Sequence, residues 1–375
     1  MKFTFSKEQE AFRDEVREFA MGELEAGAFT VESRGLVAER NLEFSRKMAE
    51  RGWIGLTWPG EYGGGGRGYV DKMIMYEELF RVQAPVGYHF LAERQIGPAL
   101  IQFGTDWQKD FFLPRIVRVD EGVMFCLLFS EPNAGSDLAA VATSARKEGE
   151  YYIVNGQKVW TSEAHTADYG WLLARTDPDR SVPPHQTCSE FIVHMKQPGI
   201  TVRPIINMAG EHTFNEVFFD DVKIHEKYLV GRENAGFRQI MAQVDYERAG
   251  IERLMQNYPV YEQLLDHVKG MDRETEEFTW ARDTVARLEI EYHAGRLLCY
   301  QTAWTIDQGR KPTSRAALCK AFCTQYEQRL NDAATRIIGP SALIRGKGPW
   351  APLGVDLAAC YLWGPSYTLQ GGSVE

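Results

Sequence analysis

The chain reads as an α+β protein of three successive lobes: a helical lobe, a small β lobe and a second helical lobe. Two observations predict this order. Before about residue 121 and after about 231, apolar residues recur at steps of three or four, the spacing of one buried helix face. Between them the apolar runs shorten and are separated by turn residues, as strands are. A chain of 375 residues has room for two or three domains, and the expected boundaries are 1–121, 122–230 and 231–375.

The first lobe opens at Ser6, which makes a capping box with Gln9, and Phe12, Val16, Phe19 and Leu24 then recur at helical steps. Further helices are expected at about residues 40 to 51, 70 to 82 and 92 to 118. In the second lobe "CLLFSEPNAGSDL" is a strand running into a turn, and "GEYYIVNGQKVWTS" holds Asn155-Gly156, a strong hairpin signal. The segments "SEFIVHM", "GITVRPI" and "NEVFFDDVKI" read as further strands. From about Glu233 the pattern is helical again, through "FTWARDTVARLEIEYHAGRLLCYQTAWTI" and "AALCKAFCTQYEQRLNDAATRII". Within "FRQIMAQVDYERAGIERL", Phe237, Ile240, Val244, Ile251 and Leu254 make one continuous stripe, and Glu247 sits inside it. A carboxylate on a buried face must be paired, be protonated, or serve chemistry that needs a proton acceptor.

Composition narrows the function. With 44% hydrophobic and 25% charged residues, the sequence is that of a soluble globular protein. The start, "MKFTFSKEQEAFRDEV", is charged from its second residue, so no secretory signal is read and the cytoplasm is the expected compartment. No run reaches the length of a spanning helix. The formal charge of −10 argues against nucleic acid as a general partner. Six cysteines, at 126, 188, 299, 319, 323 and 360, show no CxxC pair or metal spacing and read as reduced, mostly buried thiols.

Two segments of the β lobe carry chemistry. The turn in "CLLFSEPNAGSDL" offers amides and hydroxyls to an anion or a ring of acceptors. In "GQKVWTSEAHTADYGWLLART" the indole of Trp160 is followed by the hydroxyls of Thr161 and Ser162, a flat apolar face beside short donors, which suits a flavin. Each also has a plain structural reading, as a loop and as a core tryptophan. The "YGGGGRG" run lacks the GK[ST] ending of a phosphate loop and reads as a surface turn. His165 reads as strand-edge structure.

Taken in this order, and with "WPGEYGGGG", "FGTDWQKDFFLPRI", "VNGQKVWTS" and "LVGRENAGF", the sequence closely resembles the acyl-CoA dehydrogenase family over essentially its whole length. The resemblance implies a helical N-terminal lobe, a small β-barrel or sandwich, and a C-terminal four-helix bundle that carries the catalytic base and the oligomer interface. It implies FAD as cofactor and an acyl-CoA thioester as substrate, losing its α proton and β hydride to give a trans-2-enoyl-CoA. Electrons would pass to an electron-transferring flavoprotein. Carried over by position, Leu127 and Phe129 supply the dry wall of the flavin site and Ser130 hydrogen-bonds the ring. Trp160 shields one face, Thr161 stands beside it, and Ser162 reaches flavin N5. Ser136 lies near the FAD pyrophosphate and the substrate.

Many family members place the base near the C terminus, as a glutamate before Gly-Thr. The matching stretch here is "TLQGGSVE", with Gly371 in the glutamate's place. Other branches place it on the first helix of the C-terminal lobe in an "xxER" context, and Glu247 followed by Arg248 falls there. The resemblance therefore implies Glu247 as base, Arg248 toward the substrate, and the Gly371 N–H as a donor to the thioester carbonyl. The plain alternative pairs Glu247 with Arg248, although helix neighbours point about 100° apart.

Two family segments that hold the adenine half of a neighbour's FAD, "RxxFG" and "QxxGG", are missing. Their places read "YEQLLDHVKGMDRETEEFTW" and "RIIGPSA", with Arg336 and Pro340 where Gln and Gly are expected. A heteromer with a second homologous subunit is therefore expected, as in the steroid side-chain branch of the family. That branch is also resembled in the "GP" turn and in a long irregular segment at 262 to 276. A homotetramer is the other reading. A bulky, branched or steroid side-chain acyl group is the expected substrate; an acyl-CoA oxidase using oxygen and a non-catalytic scaffold subunit are the alternatives.

Overall fold

The structure is a computed structural model that describes residues 4–31, 40–179, 181–248, 250–346, 348, 350–351 and 353–374, the side chains of residues 245–247 excepted. In chain order the helices are α1 (Lys7–Glu25), α2 (Leu42–Glu50), α3 (Tyr69–Arg81), α4 (Gly97–Phe103), α5 (Asp106–Arg118), α6 (Gly236–Glu247), α7 (Glu252–Met255), α8 (Tyr258–Lys269), α9 (Glu276–Asp307), α10 (Thr313–Ile338) and α11 (Leu357–Leu369). The strands are β1 (Phe125–Leu128), β2 (Ser144–Glu148), β3 (Tyr151–Lys158), β4 (Tyr169–Arg175), β5 (Cys188–His194), β6 (Ile200–Ile206), β7 (His212–His225) and β8 (Leu229–Val230). The expected order of helical, β and helical parts is what the chain adopts. No helix among the described residues is long and apolar enough to cross a membrane.

The chain divides into two compact units, and neither is a continuous segment. One comprises residues 1–44, 67–87 and 245–375. In it α1 packs on α3, α3 on α9, and α10 on α9 and α11. The Ser6 capping box forms as the sequence predicts, and Val16 and Phe12 are buried beneath it. A charged knot ties α1, α3 and α9: the fully buried Glu77 accepts from Arg13 at 3.0 Å, from Arg296, and from the Tyr300 hydroxyl at 2.5 Å. Burial alone would push this carboxyl up, but the two guanidiniums and the phenol hold it below its ordinary range.

The other unit comprises residues 45–66 and 88–244. Its eight strands form one mixed sheet in the order β6-β7-β3-β2-β4-β5-β8, with β1 parallel to β4. One face buries Cys126, Leu128, Tyr152, Val154, Leu172, Phe191 and Val217 as a single apolar cluster.

Four expectations are corrected. Asn155-Gly156 is not a hairpin turn but an irregularity inside β3, where the register against β7 shifts between Val154 and Gly156. The Asn155 amide exchanges two bonds of 2.9 Å with Asp221, and a Cβ on Gly156 would overlap Thr143, so the pair serves a close strand contact. The hairpin turns instead at Gly149, which has φ +60°. The helix expected over 92 to 118 is broken, because Gly104 is extended and Thr105 starts α5 with its own capping box. The irregular segment expected at 262 to 276 is shorter, since α8 continues to Lys269. The stripe from Phe237 to Leu254 is divided, because α6 ends at Glu247 and Ile251 and Leu254 belong to the next helical turn.

Candidate active site

In the β-containing unit the sheet alternation sorts the predicted wall. Cys126 and Leu128 point into the apolar cluster, so Leu127 and Phe129 take the other side and are half-buried. Phe129 packs there with Leu138, Ile240 and Val244. Ser130, half-buried, accepts at its carbonyl from the Val159 N–H at 2.9 Å, which lays this loop beside the end of β3. The Phe129–Ser130 and Trp160–Ser162 segments are thus brought together. Ser136 is exposed, beyond a tight turn closed by Glu131 and Ala134, and makes no part of that junction.

Sequence reasoning missed what locks the junction. Lys158, fully buried, donates to the Phe129 carbonyl at 2.9 Å and to Glu131 at 2.8 Å. Glu131 also accepts the Ala142 and Thr143 amides at 2.6 and 2.9 Å. Burial pulls the Lys158 ammonium down to about 8 against the pull of Glu131. Burial also pushes Glu131 up, yet Lys158 and the amides keep it below the usual carboxylate range.

The turn after Lys158 has unusual backbone. Trp160 and Glu163 have φ of 59° and 61°, a region costly for residues with a side chain. Asn215, fully buried on β7, over-determines this shape. Its carbonyl accepts the Thr161 N–H at 3.1 Å, its side-chain amide donates to the Thr161 carbonyl at 3.0 Å, and its neighbour Thr213 accepts from the Glu163 N–H at 2.8 Å. The Asn215 side chain is itself held by His212 at 2.8 Å, and His165 stacks on His212 with ring centres 4.0 Å apart. His165 is thereby tied into the same clamp.

The result is a tryptophan fixed in place yet 60% exposed, with the Phe214 ring set perpendicular to it at 6.1 Å between ring centres. Beside it the Thr161 hydroxyl is buried with no hydrogen-bond partner, and Ser162 is half-buried. A rigid, uncovered indole face next to unused hydroxyls fits a flat heteroaromatic with acceptor atoms, and FAD carries one. A separate open cavity of about 630 Å³ is lined by Arg146, Lys147, Arg175 and Asp179 and by none of these residues.

Helix α6 is anchored to the same sheet. Glu190 on β5 is fully buried and accepts from Trp171 at 2.6 Å, Gln239 at 2.7 Å and Gln243 at 3.0 Å. Burial raises this carboxyl to about 7 even against three donors. Gln239 and Gln243 lie one turn apart on α6, so one carboxyl grips two successive turns.

In the helical unit, Glu247 is the last residue of α6 by backbone, and its side chain lies outside the described residues. Arg248 donates from Nε to the Gly371 carbonyl at 2.9 Å. Lys320 donates to the carbonyls of Thr368, at 3.0 Å, and Gly372. Gly371 and Gly372 have φ of 70° and 98°, and a Cβ at 372 would press on the Arg248 guanidinium. Two cations thus fix both carbonyls of this glycine pair, and with them the peptide planes that carry the N–H groups of Gly372 and Ser373. Lys320 was not foreseen, because within a helical pattern it reads as a solvated residue.

Comparison with known proteins matches the chain to three family models: the acyl-CoA dehydrogenase N-terminal domain over residues 6–120, the middle domain over 126–222 and the C-terminal domain over 234–375. The acyl-CoA dehydrogenase IpdE1 of Mycobacterium tuberculosis is 34% identical over 339 residues, covering 90% of this chain and 85% of that protein. A solved steroid acyl-CoA dehydrogenase, the Tcur3481-Tcur3483 pair, is 29% identical with a TM-score of 0.88, covering 100% of this chain and 96% of its own. The ChsE4-ChsE5 complex from Mycobacterium tuberculosis is 30% identical with a TM-score of 0.83, at 100% and 96% coverage.

Proposed function

This chain belongs to the acyl-CoA dehydrogenase family, and we propose that it binds FAD at the Phe129–Ser130 and Trp160–Ser162 junction and dehydrogenates a bulky, branched or steroid side-chain acyl-CoA. It is an oxidoreductase acting on acyl-CoA. FAD, when bound, supplies the hydride acceptor. The observation that carries the reading is the pinned, uncovered indole of Trp160 beside the Thr161 and Ser162 hydroxyls.

Each residue then has a task. Leu127 and Phe129 keep water from the ring, Ser130 and Ser162 donate hydrogen bonds to it, and Ser136 serves the phosphate end. Glu247 accepts the α proton, for which a dehydrated carboxylate is matched in basicity to the activated carbon acid. The Gly371 N–H, in a loop that Arg248 and Lys320 hold on either side, donates to the thioester carbonyl and stabilises the negative charge that develops there. Arg248 borders the substrate. A glycine in place of a side chain at 371 leaves room for a bulky acyl group, and the likeness to steroid acyl-CoA dehydrogenases supports that choice. Electrons leave to an electron-transferring flavoprotein.

The missing adenine segments make a second, homologous subunit the source of those contacts. The test is FAD per chain and molecular mass, measured on the chain alone and on the chain produced with a homologous subunit. The account expects a nearly colourless chain alone and a yellow, active mixed complex. A stoichiometrically yellow homotetramer overturns the heteromer.

A further inference from the structure

The cysteines show no metal-ligand spacing in the sequence, yet helix packing brings three of them together. Cys299 on α9 and Cys319 and Cys323 on α10 are each fully buried. Their sulfurs are 3.3, 3.8 and 4.0 Å apart. Cys319 and Cys323, one turn apart, share a helix face, and Cys299 meets them from across the helix pair.

A triangle with these sides has a point about 2.2 Å from all three corners, close to the zinc–thiolate bond length of about 2.3 Å. The three thiols therefore surround one bonding position without rearrangement. Among the described residues this is the one group of three such donors close enough to share an ion. Zinc sites take four ligands, and this set supplies three. Soft thiolates select copper(I) as well as zinc.

We propose that Cys299, Cys319 and Cys323 form a three-coordinate thiolate site for copper(I). Binding breaks three S–H bonds, makes three Cu–S bonds and releases three protons to solvent, with no change of oxidation state. The complex carries two net negative charges. Arg253, 1% exposed, places a positive charge near Cys319, and Glu252 a negative one. Because no sulfur reaches the surface, the ion enters as the bundle closes, during folding. The site is independent of the flavin chemistry.

The test is to produce the full chain, with and without Cys319→Ser, in copper-supplemented cells and to purify both anaerobically. Metal analysis is expected to give about one copper per chain, reduced at least tenfold in the variant. X-ray absorption of the wild-type protein is expected to show about three sulfurs near 2.3 Å, a result that stands even where the variant does not fold. Copper no higher in the wild type than in folded Cys319→Ser, a first shell of nitrogen or oxygen, or a Cys299–Cys319 disulfide found by mass spectrometry would each overturn the proposal.

Discussion

Asn215 holds the Trp160 turn through main chain and side chain at once, and a turn with two left-handed non-glycine residues relaxes without such a clamp. Asn215→Ala is expected to fold, because the β7 ladder remains, but to retain FAD several-fold more weakly; the ratio of flavin to protein absorbance reads this directly. Glu190 gives a pH prediction. Its carboxyl ordinarily titrates at 4.5 and in the folded protein at about 7, so between those values the folded state holds the extra proton. Its contribution to stability is complete below 4.5 and is lost as pH rises through 7, at a slope of up to about 1.4 kcal/mol per pH unit. Denaturation midpoints at pH 5 and pH 8 are therefore expected to diverge less in Glu190→Gln than in the wild type. At this scale the Phe129–Ser130 and Trp160–Ser162 segments could be singled out because they stand in contiguous motifs, and the structure lays them side by side. Asn215, Lys158 and Glu131 were not, since a polar residue in a strand reads as solvent-facing until its cross-strand partner is known.

Among the elements, helices and strands with clear periodicity stand where the sequence puts them, α3 and β5 to β7 included. One cause of failure is a local signal overridden by a contact from a distant segment. Asn155-Gly156 carries turn chemistry, but Asp221 and Thr143 recruit it into a strand irregularity. Likewise Gly97 opens α4 where the Trp58 indole lies against its backbone, and nothing local in "RQIGPALIQ" announces it. Gly97→Ala places a methyl inside that ring's volume. The expected cost is about 1–3 kcal/mol, read as a lowered Tm, with the Trp160 turn untouched; a Tm equal to wild type would contradict this packing. The break between α6 and α7 was hidden because Ile251 and Leu254 are both buried and in phase with the residues before them.

At the scale of the whole molecule, family membership was legible because motifs from all three parts of the chain occur in one order. The two compact units were not, since each is assembled from separated segments. Substrate preference belongs to this scale too. With Gly371 in place of a side chain, the assembled enzyme is expected to turn over bulky acyl-CoA thioesters faster than octanoyl-CoA, and equal rates across such a panel would remove the preference. Glu247 is proposed to take the α proton of a substrate held against FAD. Its most direct test is anaerobic bleaching of the visible flavin band by substrate, comparing the wild-type complex with Glu247→Gln. The account predicts that the variant keeps its flavin and bleaches slower by about 10²–10⁴-fold; bleaching at the wild-type rate would contradict it.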